Sequence, residues 1–237
     1  MAIVVTSVGV ASALGVGVER NLASLREGAS GISQHPTLLK TSHRLPVGEL
    51  AMSNEELHDL LGISPREHLS RTALLGILAV REALQNVDMS NPTRIGLVSS
   101  TSVGGMDLTE HFFEGFIEDE RAGRLRDVRM HDCAASTDAI AHYSGIKGYT
   151  TTLSTACSSA ANAVITGAKL LKHNIVDKVV VGGSDALSAF TLNGFKSLMI
   201  LDEKPCRPFD ETRAGLNLGE GAGYIVLQRE EDATNYI

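Results

Sequence analysis

The segment TACSSAANAV, residues 155–164, holds one reactive side chain among some of the smallest residues available. Cys157 lies where a polar run gives way to an apolar helical pattern, which predicts a strand-to-helix corner. A helix start offers unpaired backbone N–H groups and the positive end of the helix dipole, and both favour a thiolate. The same N–H groups can bind the oxyanion formed when a thiolate attacks an acyl carbonyl. The segment therefore predicts a nucleophile for acyl transfer, and a small buried cysteine that fills a helix start is the alternative.

The elements around this corner alternate between short β-branched runs and longer helical patterns, which predicts an α/β layer architecture. Several of the runs are apolar on both faces, as is typical of strands that helices cover on each side. The predicted strands are residues 3–10, 95–100, 150–154, 178–181 and 224–227.

Capping residues and periodicity predict three clear helices. The first begins at SPRE, where Ser64 would cap the helix and Glu67 would complete a capping box. The second covers residues 108–121, with Asp107 as its cap. The third covers residues 158–173 and is apolar on most sides, which predicts a buried helix.

Composition argues against several classes of protein. Hydrophobic residues make up 43% of the 237 residues, enough for a packed core, and the net charge of -7 argues against a nucleic-acid partner. The first 18 residues have no basic segment and are interrupted by polar residues, which argues against a signal peptide or a membrane span. Cys133, Cys157 and Cys206 lack metal-binding spacing, and their odd number favours a reducing compartment. We therefore expect a cytoplasmic protein with no membrane partner and no bound metal.

Five segments, in order along the chain, resemble the β-ketoacyl-[acyl-carrier-protein] synthases, condensing enzymes of the thiolase superfamily. They are TACSSAANAVITGAKLL, VVVGGSDAL, NGFKSL, CRPFDETRAG and LGEGAGYIVL. The amino-terminal VVTSVGVASALGVGVERNLASLREGASGI is similar to the opening strand, turn and helix of the same family, so the resemblance covers nearly the whole chain. It implies a thiolase-like layered α/β fold, in which a mixed sheet is flanked by helices and the nucleophile lies at a strand-to-helix corner.

The resemblance also implies a reaction. Cys157 would accept an acyl group from an acyl-carrier protein as a thioester. Malonyl-carrier would then lose carbon dioxide, and its carbanion would attack that thioester to give a β-ketoacyl product. Val103 and Phe195 match positions that line the acyl pocket of the family, although ordinary core packing is the alternative for both. No cofactor is implied. The segment GEGAG lacks the GxGxxG spacing and precedes a strand, so it favours a tight turn over a phosphate site.

Two catalytic histidines of the family have no counterpart in this sequence. One lies in an HGTGT-like motif and the other follows an asparagine in the carboxy-terminal half, and none of the eight histidines here matches either context. We therefore expect residues 1–237 to be the amino-terminal half of a synthase without its carboxy-terminal half. An expressed fragment, a split enzyme and a truncated gene product all remain open. Such a half would not condense alone, and it would leave the helix after Cys157 with an uncovered apolar side.

The sequence is compatible with more than one partner and more than one acyl substrate. We expect a homodimer through antiparallel pairing of the strand at 150–154, or association with a chain that supplies the carboxy-terminal half. The segment RMHDCAASTDAIAHYSG departs from the usual pattern of fatty-acid synthases, and TACSS is closer to polyketide and polyene branches. The substrate is thus a fatty acyl, polyketide or polyene chain, with a slight preference against housekeeping fatty-acid synthesis. The alternatives are a non-catalytic, chain-length-determining subunit, which typically lacks the cysteine, and a thiolase acting on coenzyme A thioesters.

Overall fold

The computed structural model describes residues 2–237, in which strands and helices alternate. The strands are β1 (Ile3–Ser12), β2 (Gly15–Val16), β3 (Ile32–Ser33), β4 (Val47–Gly48), β5 (Ile95–Ser100), β6 (Thr150–Leu153), β7 (Lys178–Asp185), β8 (Leu218–Gly219) and β9 (Gly221–Arg229). The α-helices are α1 (Val18–Arg26), α2 (Asn54–Leu61), α3 (Arg71–Leu84), α4 (Met106–Glu118), α5 (Leu125–Val128), α6 (Cys133–Ser144), α7 (Ser159–Lys172) and α8 (Ala189–Ser197).

The core of the fold is a six-stranded mixed sheet with the order β2-β1-β9-β7-β5-β6. Strands β5, β6 and β7 are parallel to one another, whereas β9 is antiparallel to both β1 and β7. A separate three-stranded sheet has the order β3-β4-β8. The mixed sheet and its helices agree with the predicted α/β architecture.

Helices cover the large sheet on both faces. Alternate residues of β9 point to opposite sides, so that Tyr224 and Val226 pack in the cluster that contains α3, while Ile225 and Leu227 pack in the cluster that contains α7. Helix α3 is almost entirely buried, and it lies so close to β1 that a Cβ at Gly9 would meet a backbone oxygen of α3 at 1.9 Å. This position therefore requires glycine.

All five predicted strands are present, and β7 and β9 are longer than predicted. Both extensions contain glycines, which weaken the pattern from which strands are predicted: β7 runs on to Asp185 and β9 already begins at Gly221. Residues of both extensions line the cavity that is described below as the candidate active site.

The prediction of a helix beginning at Ser64 is wrong. Residues 65–67 form a single 3₁₀ turn, which ends at His68 with a left-handed φ of 56°. Helix α3 begins only at Arg71, where the Ser70 hydroxyl accepts a hydrogen bond from the Ala73 N–H at 3.2 Å. Ser64 and Ser70, six residues apart, both begin capping sequences. The long helix follows Ser70 because the side chains of α3 are buried in the core.

The predictions for helices α4 and α7 are each correct in part. Asp107 does not cap α4, because the cap position is Gly105 and Asp107 lies within the first helical turn. Helix α7 lies within one residue of its predicted bounds, but only one of its sides is buried. On the other side Val164 is 37% exposed and Ile165 is 52% exposed, so this apolar side is uncovered and the prediction of a helix buried on most sides is wrong. Within residues 2–237, no helix combines the length and the apolar character that a membrane span requires.

A buried ion pair joins the elements at one end of the sheet. The Arg71 guanidinium donates to both carboxylate oxygens of Glu220, at 2.8 and 2.6 Å, and their side chains are 8% and 1% exposed. The remaining guanidinium donors bind the carbonyls of Leu50 and Met52 and the side chain of Asn54. Because the pair is buried, its charges depend on these bonds for compensation.

We predict that Arg71→Met lowers the free energy of unfolding by about 3–5 kcal/mol, because it leaves the Glu220 carboxylate buried and unpaired. Urea unfolding measures the loss. The control is Arg126→Met, since Arg126 is 54% exposed and its pair with Asp127 has a separation of 3.9 Å. The control should lose less than about 1 kcal/mol. Equal losses in the two variants would contradict the assigned role of the buried pair.

Candidate active site

Cys157 lies in the short connection between two elements. Strand β6 ends at Leu153 and helix α7 begins at Ser159, so the predicted strand-to-helix corner is present. Ala156, directly before the cysteine, has a left-handed φ of 53°, which is costly for a residue with a Cβ. This turn redirects the chain sharply and leaves the Cys157 side chain exposed. The alternative of a buried cysteine that fills the helix start does not hold.

Hydrogen bonds among neighbouring residues fix the sharp turn. The Thr155 N–H donates to the Ser159 hydroxyl at 2.8 Å, and that hydroxyl donates to the Ala156 carbonyl at 2.6 Å. The Ser158 hydroxyl donates to the Thr155 carbonyl at 2.8 Å, and the Asn162 amide donates to the Thr155 hydroxyl at the same distance. The small polar residues of this segment thus hold the backbone in a strained conformation.

The start of α7 suits a negative charge at Cys157. Ser158 is the cap residue but makes no side-chain capping bond, and the first turn contains no acidic residue. Lys169 and Lys172 lie in the last turn, at the opposite pole of the helix. The positive end of the helix dipole is therefore not neutralised by a carboxylate, and it can stabilise either a thiolate or an oxyanion.

A cavity of about 400 Å³ opens beside Cys157. Strand β9 contributes little volume to its wall, because both of its lining residues, Gly221 and Gly223, are glycines. A Cβ at Gly223 would meet no atom within 4 Å, so the cavity is open at this position. The lining residues are Ser100, Ser102, Ala156, Cys157, Ser159, Ala160, Gly183, Ser184, Asp185, Gly219, Gly221 and Gly223.

The structure brings only some of the predicted site residues together. Val103 lies in the β5–α4 loop, next to Ser102, which lines the cavity. Phe195 lies on α8 and is half-buried. Among the described residues that line the cavity, neither Val103 nor Phe195 is present. Their role in binding an acyl chain therefore stays a prediction.

Two other cavities are larger, but neither is lined by a cysteine at a helix start. One of about 670 Å³ contains Cys206, which lies in an exposed loop. The other, of about 540 Å³, is lined by Arg71, Asp107 and Glu220. Burial raises the pKa of Asp107 to about 6, although backbone N–H groups, that of Arg71 among them, act in the opposite direction. The cavity beside Cys157 is nevertheless the candidate active site, because it alone of these three contains a cysteine at a helix start.

Asp185, which lines the cavity, and the buried Tyr224 hydroxyl, 3.5 Å from the hydroxyl of the lining residue Ser184, were not predicted from the sequence. Asp185 accepts hydrogen bonds from the β5–α4 loop, and burial raises the pKa of Tyr224 to about 12, so its phenol stays protonated. The Tyr224 hydroxyl contacts Ser99 at 2.7 Å. Within residues 2–237, no cluster of histidine, cysteine and carboxylate side chains is arranged to hold a metal ion.

The left-handed turn at Ala156 predicts opposite effects for two substitutions. Ala156→Gly should raise the free energy of unfolding by up to about 1 kcal/mol because it removes the Cβ strain. Ala156→Val should lower it by about 1–2 kcal/mol and slow the alkylation of Cys157, since a β-branched residue resists this φ. Urea unfolding and iodoacetamide labelling provide the measurements. The control is Ala161→Val in the exposed first turn of α7; a loss there equal to that at Ala156 would contradict the assignment of strain.

Solved structures with a similar fold contain ketosynthases. The chain superimposes on a ketosynthase (ApeO) in complex with its chain length factor (ApeC) from Xenorhabdus doucetiae with a TM-score of 0.82 and 30% identity, covering 96% of this chain and 58% of that one. The ishigamide ketosynthase/chain length factor gives a TM-score of 0.89 and 26% identity, with 98% and 59% covered. These neighbours confirm the predicted thiolase-like layered α/β fold.

Curated relatives agree with this assignment. Nodulation protein E of Rhizobium sp. (strain N33) is 29% identical over 98% of this chain and 59% of its own length. The 3-oxoacyl-[acyl-carrier-protein] synthase 2 of Staphylococcus aureus (strain N315) is 27% identical over 98% of this chain and 58% of its own length. The chain thus spans less than two thirds of the length of either relative. The family described as "Beta-ketoacyl synthase, N-terminal domain" matches residues 1–233, and the chain therefore belongs to the β-ketoacyl synthase family.

Proposed function

We propose that this chain carries the acyl-accepting site of a β-ketoacyl synthase and that Cys157 is its nucleophile. One observation carries the proposal: Cys157 is exposed on a cavity of about 400 Å³, at a strained turn before a helix whose start has no side-chain cap. This combination of access and local positive potential is what a thiolate nucleophile requires.

In the first step, the Cys157 thiolate attacks the acyl carbonyl of an acyl-carrier thioester. The new sulfur–carbon bond forms as the bond to the carrier sulfur breaks, and the carrier thiolate takes up the proton that the cysteine released. Backbone N–H groups at the start of α7 would stabilise the tetrahedral oxyanion. In the whole protein, decarboxylation of malonyl-carrier would supply a carbanion that attacks this thioester, which releases the Cys157 thiolate and the β-ketoacyl-carrier.

The second step requires groups beyond those of residues 1–237. None of the eight histidines lies in an HGTGT-like motif, and the chain spans 59% and 58% of the lengths of two relatives. We therefore expect the 237-residue polypeptide to accept an acyl group but not to condense it. Turnover of acyl- and malonyl-carrier by this polypeptide alone would contradict that expectation.

Acylation of the polypeptide tests the first step. We predict that incubation with octanoyl-carrier protein gives a single octanoyl adduct on Cys157, found by intact mass and peptide mapping. The Cys157→Ser variant should not form the octanoyl adduct at the wild-type rate, whereas Cys133→Ser and Cys206→Ser should form it as the wild type does. An unmodified wild-type chain, or an adduct that persists in Cys157→Ser, would refute the proposal.

The three cysteines also provide an internal comparison by iodoacetamide labelling. Cys206 is exposed but lies in a loop, whereas Cys133 begins α6 but is only half-exposed and follows the capping Asp132. We expect Cys157 to react at least about tenfold faster than either, because its helix start is both open and free of a carboxylate cap. Equal, slow labelling of all three would favour a non-catalytic protein.

A non-catalytic, chain-length-determining subunit is the second candidate. Both solved structures named above contain a chain length factor together with a ketosynthase, which supports keeping this alternative. Against it stands the exposed Cys157, since such subunits typically lack the nucleophile. The labelling comparison separates the two candidates.

We infer an acyl-carrier protein as the substrate-delivering partner, and either a homodimer or a chain that supplies the carboxy-terminal half as the structural partner. The free thiols of all three cysteines support a reducing, cytoplasmic location. Fatty-acid, polyketide and polyene synthesis all fit the proposed chemistry, and the measured preference among acyl-carrier substrates would decide between them.

The homodimer would form at β6, the edge strand of the large sheet. Thr150–Leu153 pairs with β5 on one side only, so antiparallel pairing with a second copy would satisfy the other edge. We predict that sedimentation detects a species of twice the 25.2 kDa chain mass, with amide protection at β6 that falls on dilution. A monomer at all concentrations, with unprotected β6 edge amides, would contradict it.

A further inference from the structure

We propose that Asp185 is a positioning residue that clamps the loop 101–105 against the Cys157 cavity and thereby limits the length of the chain that reaches the sulfur. The proposal deepens the proposed function, on which its relevance to acyl groups rests. Asp185 is the last residue of β7 and lines the cavity together with Cys157 and Ser102.

The clamp consists of hydrogen bonds from the start of the loop to one carboxylate. Oδ1 of Asp185 accepts a bond from the Thr101 hydroxyl at 2.7 Å and one from the Ser102 N–H at 2.8 Å. The Ser102 N–H also lies 3.1 Å from Oδ2. Both donors belong to residues directly after β5, so the carboxylate determines the direction in which the chain leaves the sheet.

Thr101 extends the clamp into the loop. Its hydroxyl donates to Asp185 and accepts a hydrogen bond from the Gly104 N–H at 3.1 Å, so the loop folds back around one oxygen. The Thr101 N–H is bound to the Leu153 carbonyl at 3.3 Å, which joins the same residue to the end of β6. The clamp therefore connects the loop to the strand that leads to Cys157.

The far end of the loop is held independently. Gly104 has a left-handed φ of 60°, and a Cβ there would meet the His131 carbonyl oxygen at 2.7 Å. The Thr72 hydroxyl donates to the Gly104 carbonyl at 2.8 Å. With both ends fixed, Val103 and Ser102 between them have little freedom, and the Ser102–Asp185 contact forms a rigid part of the cavity wall.

A carboxylate suits these donors best, because both of its oxygens accept and both carry negative charge. In Asp185→Asn the remaining oxygen could still accept from Thr101 and Ser102, but it would lose its negative charge, and an NH₂ group would replace Oδ2 at 3.1 Å from the Ser102 N–H, so the start of the loop should be held less firmly. Thr101→Val removes the hydroxyl between Asp185 and Gly104, whereas Thr101→Ser keeps it. The two positions lie in one network, so their effects should not add.

The test uses thiol alkylation, which does not depend on acyl transfer. N-methyl- and N-octyl-iodoacetamide are reacted with Cys157 in the full chain, and the ratio of octyl to methyl rate constants is measured by peptide mass. In Asp185→Asn and Thr101→Val we expect this ratio to rise about fivefold, the factor associated with one lost hydrogen bond. The double variant should show no further rise, and Thr101→Ser should match the wild type.

The matched control is Asp177→Asn. Asp177 lies just before the opposite end of β7 and binds Arg94 and Arg229, so this variant loses polar contacts without touching the loop. Its octyl-to-methyl ratio should equal that of the wild type. Hydrogen–deuterium exchange provides a second readout: the amides of Ser102 and Gly104 should exchange faster in Asp185→Asn but not in Asp177→Asn.

Two results would overturn the clamp. One is a ratio in Asp185→Asn within about twofold of the wild type, since one hydrogen bond should change it more. The other is unchanged exchange at Ser102 and Gly104. Failure of octanoyl-carrier to acylate wild-type Cys157 refutes the proposed function instead, and the alkylation ratio still decides whether Asp185 limits access to the sulfur.

Discussion

The buried ion pair between Arg71 and Glu220 is the constraint on which the rest of the structure depends. A charge removed from water must recover its solvation from fixed partners, so every donor of the guanidinium has to be matched. Those partners come from distant loops: two carbonyls before α2, and a carboxylate that also accepts the N–H groups of Leu50 and Leu187. The pair therefore fixes the start of α3, the loop after β7 and the entry to β9 in one arrangement, which also brings the ends of β7 and β9 to the cavity.

The cavity beside Cys157 results from a change of residue size along two strands. Val179 and Val181 of β7 pack beneath α7, whereas Gly183, two residues further along, lines the cavity and lies against Ser100. On β9 the glycines come first and Ile225 follows. The sheet is thus filled beneath the helix and open at Gly223, where a Cβ would meet no atom within 4 Å. The same sequence that weakens the strand pattern creates the site.

How much could be predicted from the sequence depended on the distance between interacting residues. The corner at Cys157 was predicted correctly because its signals are local: a polar strand end, small residues and a helical pattern. Ser64 has the local signals of a helix cap as well, yet the helix begins after Ser70, because burial of α3 decides the start. Asp185 lies 84 residues from Thr101 in sequence, and Arg71 lies 149 residues from Glu220. Neither contact leaves a local pattern, so only the fold reveals them.

The two cysteines at helix starts have different surroundings. Cys133 is the first residue of α6, where Asp132 caps the helix by accepting the Ala134 N–H at 2.9 Å. That carboxylate occupies the Ala134 N–H and offsets the helix dipole beside the thiol. The α7 start differs in three ways: its cap residue makes no capping bond, its first turn has no acid, and a strained turn at Ala156 turns the cysteine outward. The left-handed turn at Ala156, rather than the helix itself, is therefore what distinguishes the exposed Cys157 from Cys133.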